Sequence, residues 1–178
     1  MTIDTSTPVL VLGGKENSLS LARHLGRRGI TVRVSGPANC WGMYSRYCWQ
    51  RFPVPHGQSI VAFWKNLLLS PDDGRLYGHI LFACSDEALE FIAEHRQELE
   101  QYYRLEEAVP ELQRALLDKK RTLELARAAG VSVPNFWIVK SEADVEKIYG
   151  EAMFPLIIKP IHTHKFSRVF GRKLFIIE

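Results

Sequence analysis

Two lysines, Lys119 and Lys159, stand where the local sequence offers a cation little support. Lys119 follows Asp118, a side chain suited to accept from the first free N–H groups of a helix. It precedes the apolar positions Leu123, Leu125, Ala126, Ala128 and Ala129, with Gly130 as the stop. The pattern predicts a helix whose first turn carries Lys119, Lys120 and Arg121. Cations at that end oppose the helix dipole, at a cost of about 0.3–1 kcal/mol each, and an anionic ligand nearby would relieve the conflict. Lys159 closes Phe154-Pro155-Leu156-Ile157-Ile158, an apolar, β-branched run that predicts a strand buried on at least one face. Each lysine alone has a plain structural explanation: an exposed helix position for the first, and a strand-end side chain reaching water for the second. The two together, with Gly130 and the Val133-Pro134 turn between them, point to recognition of an anion.

A second set of candidates lies near the N-terminus. Val9-Leu10-Val11-Leu12 reads as a buried strand, Gly13-Gly14 as a turn, Leu21, Ala22 and Leu25 as the inner face of a helix stopping near Gly29, and Ile30 to Val34 as the next strand. This βαβ order implies a right-handed crossover and a parallel sheet, with ligands at the C-terminal ends of the strands. Gly13 and Gly14 serve either a tight turn or the approach of backbone N–H groups to a carboxylate. Ser85-Asp86, following the apolar run Ile80 to Cys84, either cap the next helix or face the same crevice. The turn lacks the third glycine of the dinucleotide fingerprint, and the second strand ends in Ser35-Gly36 with no acid for a ribose, which argues against a nicotinamide cofactor. No GxxxxGK[ST] loop is present. His162 and His164 alternate as ligands on one strand face would, but have no third ligand close in sequence, so no metal site is assigned. No nucleophile–histidine–acid arrangement is legible among His24, His56, His79 and His95.

These candidates sit in 178 residues, 46% hydrophobic and 24% charged, enough for one domain or two small ones. No apolar run approaches the ~20 residues of a bilayer span, and Met1 to Pro8 lack a signal-peptide profile, so a cytoplasmic protein is expected. Cys40, Cys48 and Cys84 form neither an even set nor a CxxC pair. The net charge of +3, from 23 basic and 20 acidic residues, is too mild for a nucleic-acid binder.

The intervening chain predicts a short strand at Phe52-Pro53-Val54 and an amphipathic helix over Ser59 to Leu69. Further on it predicts a last strand of the first domain at Tyr103 to Leu105 and, over Glu111 to Leu117, a short helix or the start of a longer one. A strand at Phe136 to Val139, a helix over Glu142 to Tyr149, and a strand from Lys173 to Ile177 pairing with Leu156 to Lys159 complete the reading. Pro37 to Gln50, rich in aromatic residues, has no clear period.

Asp118-Lys119 opening a helix, Ala128-Ala129-Gly130-Val131-Ser132-Val133-Pro134 after it, and Phe154-Pro155-Leu156-Ile157-Ile158-Lys159-Pro160 some forty residues from the first lysine resemble the start of an ATP-grasp domain. Leu12 to Asn17 and Ser45-Arg46-Tyr47 resemble the domain that precedes it in ATP-grasp carboxylate–amine ligases, the D-aspartate ligase type most of all. The resemblance implies an α/β fold: a Rossmann-like parallel sheet over residues 1–107, then a small α+β part of the ATP-grasp domain over 108–178. It implies ATP and Mg²⁺ as cofactors and a small carboxylate with an amine acceptor as partners, and neither nucleic acid nor membrane. Lys119 and Lys159 would contact ATP phosphates, and the loop His162 to Phe170 would close over them. That loop has none of the family's glycines, so Lys165 and Arg168 would substitute. Gly13, Gly14, Glu16, Asn17, Ser85 and Asp86 would face the substrate. No catalytic residue is assigned. Acids for Mg²⁺ are expected beyond Glu178, so the chain is expected to be the N-terminal portion of an enzyme and inactive alone. An apolar hairpin face from Phe154 onward is expected to lack cover and could drive homodimer formation. The competing readings are a non-catalytic α/β small-ligand-binding module using the Gly13-Gly14 crevice and, disfavoured by Ser35-Gly36, a Rossmann-type oxidoreductase.

Overall fold

A computed structural model describes residues 4–70, 74–160, 171 and 174–178. The chain divides into two compact units, Met1–Arg114 and Ala115–Glu178.

In the first unit, β1 (Val9–Leu12), β2 (Val32–Gly36), β3 (Cys48–Pro53) and β4 (Ile80–Ala83) form a wholly parallel sheet in the order β3-β2-β1-β4. Parallel strands need crossovers, and the helices α1 (Glu16–Gly26), α2 (Ile60–Leu69), α3 (Asp86–Glu94) and α4 (Arg96–Leu99) provide most of the cover. Because side chains alternate along a strand, β1 feeds two cores. Leu10 and Leu12 join Trp64, Leu68, Phe91, Ile92 and Leu99 on one face, while Val9 and Val11 join Ala22, Val32, Val34, Cys40 and Met43 on the other. Each large apolar side chain so enclosed contributes about 1.5–3 kcal/mol of transfer free energy. Burial on both faces is why β1 reads as an unbroken apolar run.

The sheet corrects two expectations. Its third strand begins at Cys48, not Phe52, and its pairing with β2 shifts register between Val32↔Cys48 and Arg33↔Gln50. As an edge strand it alternates exposed and partly buried residues, with Trp49 and Arg51 outward, so its apolar signal is weak. The strand expected at Tyr103 to Leu105 is reduced to a single parallel bridge from Arg104 to Ile80.

The second unit begins within α5 (Pro110–Leu117). It holds α6 (Lys119–Ala128), α7 (Glu142–Tyr149) and an antiparallel pair, β5 (Leu156–Ile158) with β6 (Phe175–Ile177), in register Leu156↔Ile177. Gly130, at φ 77°, ends α6 with Val131 N–H on Ala126 C=O at 2.9 Å and its own N–H on Arg127 C=O at 3.1 Å, the two bonds of a Schellman stop. Ser141 and Asp144 close a reciprocal capping box on α7. Phe136 to Val139, expected as a strand, has no regular structure: the only strands described in this unit pair with each other.

The hairpin also departs from expectation. Ile157 and Ile158 of β5 are 58% and 51% exposed, not buried on one face. A two-stranded ribbon has no second layer of its own, and no described residue of this unit beyond Ala115 is buried. The uncovered apolar face expected from Phe154 onward is therefore present in the described residues.

Candidate functional site

Lys119 is the first residue of α6, and it owes that position to Asp118. The Asp118 carboxylate accepts from Arg121 N–H at 3.0 Å, while the Thr122 hydroxyl donates to the carbonyls of Ala115 and Asp118 at 3.0 and 2.9 Å. Of the three cations in this turn, Lys120 is paired with Glu124 at 3.4 Å, one helical turn away. Lys119, half-buried, and Arg121 form no ion pair among the described residues. The dipole mismatch therefore rests on these two. Lys159 lies one residue beyond β5, exposed, in the same unit. Lys165 and Arg168, with the loop His162 to Phe170, lie outside the described residues.

The second set meets at the C-terminal ends of β1 and β4. Gly13 and Gly14 adopt φ 68° and 85°. A methyl group on Gly13 would come within 2.4 Å of Ser85 Oγ, and one on Gly14 within 2.6 Å of Asn17 Oδ1, Cys84 Cβ and Cys84 O. The turn is thus pressed against β4, and only glycine meets both requirements there. Asn17 fastens it: its Oδ1 accepts from Lys15 N–H at 3.0 Å and Ser18 N–H at 2.9 Å, and its Nδ2 donates to Cys84 C=O at 2.6 Å. Ser85 caps α3, accepting from Ala88 N–H at 3.3 Å. Asp86 adds an acid to the first turn of that helix. Glu16 is exposed on the first turn of α1, where its carboxylate suits the dipole. The six residues are brought to one sheet edge, and the polar side chains of Asn17 and Ser85 bond the chain itself.

The surroundings of this turn were not legible in sequence. Cys40 Sγ donates to Gly13 C=O at 3.2 Å, and Ser18 Oγ donates to Lys15 C=O at 2.8 Å while accepting Gly42 N–H at 3.0 Å. Burial pushes the Cys40 thiol up, and burial with Cys40 nearby pushes Cys84 up to about 11, so both are protonated packing groups at neutral pH. Ser45-Arg46-Tyr47 gains a structural role. Ser45 is buried and its Oγ accepts Tyr47 N–H at 3.2 Å, while the Tyr47 ring lies where any side chain on Gly26 would have to go. The signal that could have found these contacts was the small residue at each close approach.

A further polar pair was missed entirely. His79, 3% exposed, receives an Nη1–H from Arg33, whose guanidinium also donates to Gln50 Oε1 at 3.3 Å and lies 4.4 Å over the Trp49 ring. Burial first, then the Arg33 charge, hold the imidazole pKa below its usual value, with the backbone of Tyr77 and Leu76 countering in part.

No known family profile matches the sequence, and no curated protein does. The solved structures do. N5-carboxyaminoimidazole synthetase from Staphylococcus aureus, complexed with ADP, superposes on 99% of this chain with a TM-score of 0.66 at 17% identity. Carboxyaminoimidazole ribonucleotide synthase from Aspergillus clavatus, complexed with ATP, covers 97% with 0.65 at 18%, and L-amino acid ligase from Bacillus licheniformis covers 99% with 0.64 at 15%. The shared property is the fold, a parallel α/β sheet followed by a small unit with an antiparallel hairpin. The chain spans less than half of each of those proteins: 43%, 41% and 40% respectively.

Proposed function

We propose that this chain is part of an ATP-dependent carboxylate–amine ligase of the ATP-grasp type, and that its own share of the site is a contact to the ATP phosphates through Lys119 and Lys159. The single observation that carries the reading is Lys119. It is a helix-first lysine with no ion pair among the described residues, held at the positive end of α6 by Asp118, in a unit that also carries Lys159 directly after β5. An anion placed there would remove the dipole mismatch, and a lysine suits it as a compact point charge. Solved enzymes of the same fold are known with ADP and ATP bound. The D-aspartate ligase subtype rests on the sequence resemblance alone.

In such a reaction a substrate carboxylate oxygen attacks the γ-phosphorus as the bond to the β-phosphate oxygen breaks. ADP leaves and an acyl phosphate forms. The amine nitrogen then attacks the acyl carbon, inorganic phosphate departs and the nitrogen loses a proton. The role proposed for Lys119 and Lys159 is electrostatic: they hold the phosphates and offset charge on the transferred oxygens. Lys165 and Arg168 extend the proposed phosphate contact, and Gly13, Gly14, Glu16, Asn17, Ser85 and Asp86 border the proposed carboxylate crevice. Magnesium belongs to the reading by resemblance. Among the described residues no group of three or more His, Cys, Asp or Glu could hold a metal ion, and no step is assigned to it. No described helix is long and apolar enough to cross a membrane.

The test is calorimetric titration of the 178-residue chain with Mg-ATP beside a Lys119→Ala, Lys159→Ala double variant of matching thermal unfolding. Binding by the parent that weakens about tenfold or more in the variant supports the phosphate contact. Equal binding by both, or none by the parent, overturns it.

A further inference from the structure

Opposite charges are segregated within the first unit. From Asn17 to Ser70 the sequence holds seven arginines and lysines and no acid, whereas from Asp86 to Glu107 it holds eight acids and two arginines. The small net charge of +3 hides this division. The order β3-β2-β1-β4 puts β3, within the basic stretch, at one edge of the sheet and β4, which leads into the acidic helices, at the other. On the basic side, α1 packs on the short turn Trp41–Tyr44, and that turn packs on β3. The Tyr47 ring lies against Gly26 of α1, and the Arg46 guanidinium carbon lies 4.9 Å over that ring. Arg23, one turn before Gly26, and Arg27, one turn after Arg23, add two exposed cations on the same helix. Tyr44 and Trp49 are left 64% and 67% exposed in this stretch. On the acidic side, Glu90, Glu94 and Glu98 recur at every fourth residue through α3 and α4, and Glu94 closes α3 at the end where the dipole disfavours an anion.

What marks the surface is one sign of charge beside large aromatic rings left in water; exposed charges need no ion pair, but like charges crowded together oppose one another, and an opposite surface relieves both sides at once. We propose that the basic, aromatic margin of one copy docks on the acidic α3–α4 margin of a second copy of this chain, head to tail. Every copy carries both margins, so the complement is present wherever the protein is. Trp, Tyr and Arg are the side chains that dominate contacts between proteins. A single-stranded nucleic acid fits less well, because Arg33 and Arg46 already cover one face of the Trp49 and Tyr47 rings, and the acidic margin repels an extended polyanion. Two different surfaces do not close on each other in a pair, so copies add in a row. The contact uses none of the residues assigned to ATP or to the carboxylate, and the apolar hairpin has no part in it.

The experiment is sedimentation velocity of the 178-residue chain over a concentration series, at about 50 mM and about 500 mM salt. The expected result is an average mass that climbs past the dimer with concentration at low salt, with the midpoint raised at least about tenfold at high salt. Two double variants at exposed positions, Arg23→Glu with Arg27→Glu and Glu94→Lys with Glu98→Lys, should each stay monomeric at low salt. Their equimolar mixture should associate again, because the unaltered basic margin of the second meets the unaltered acidic margin of the first. A parent that stays monomeric or stops at a closed dimer overturns the proposal, as does association that is equally strong at high salt or in either variant alone. A monomeric chain that binds a fluorescein-labelled single-stranded oligonucleotide also overturns it and assigns the basic margin to nucleic acid. Should a double variant lose its thermal unfolding transition, the salt dependence of the parent decides the matter.

Discussion

His79 shows how one contact fixes a proton. A guanidinium stays charged throughout the pH range in which proteins fold, so the Arg33 Nη1–H can only donate and His79 Nε2 must accept. The remaining imidazole proton is then on Nδ1, which is buried and has no hydrogen-bond partner among the described residues. Protonating Nε2 would set two donors against each other beside a like charge. The folded pKa is accordingly below 6.5, burial being the first cause and Arg33 the second. The unfolded chain therefore takes up a proton that the folded chain refuses. Stability from this group is complete above about pH 6.5 and is lost as pH falls from there through the depressed folded value. Thermal unfolding across that window should show a midpoint that is level above it and declines below it, with a shallower decline in His79→Gln. Identical slopes would remove His79 as the cause. The lowered carboxyls of Asp4 and Asp144 act only at lower pH, below the usual carboxylate value, and do not confuse the measurement. Nothing in the sequence around His79 announced this, because Arg33 is 46 residues away. Lys119, by contrast, was legible because its helix start is written in the residues beside it.

Elements follow the same division between local and distant causes. Helices α2, α5, α6 and α7 begin and end within a residue or so of the positions their caps and breakers predict, since Ser59, Asp118, Gly130 and Ser141 act on neighbouring backbone. The glycine turn after β1 combines both kinds of cause, and two alanine substitutions separate them. Gly29, at φ 82°, has open space around its Cα, whereas Gly14, at φ 85°, lies against Cys84 and Asn17. Gly29→Ala should cost only the left-handed strain, about 1–2 kcal/mol. Gly14→Ala should cost that plus displacement of β4, about 2–4 kcal/mol in urea unfolding. Equal losses would mean that the close approach has no energetic weight. The positive φ was readable from Gly-Gly, but the approach of Cys84 was not. The same limit explains β3 and the absent strand at Phe136: pairing partners decide strands, and an edge strand carries too little apolar alternation to reveal its partner.

At the scale of the molecule, the two units are unequal. Both buried clusters belong to residues 1–114, with β1 at their centre, whereas the described residues of 115–178 bury little beyond Ala115. The sequence forecast a parallel sheet followed by a smaller unit because apolar runs broken by glycine turns are a local signal. It forecast burial of Ile157 and Ile158 wrongly, because hydrophobicity records what a strand would prefer to touch, not whether another layer is there. Where burial is absent, opening costs little. Hydrogen exchange followed by mass spectrometry should therefore place the slowest amides in β1, β2 and β4, with β5 and β6 exchanging orders of magnitude faster despite their ladder bonds. A chain that self-associates through Ile157, Ile158 and Ile176 would protect β5 and β6 only at high concentration, so the measurement is repeated on dilution. Protection of the hairpin equal to that of β1, and unchanged on dilution, would mean that these apolar side chains have found cover within the chain itself.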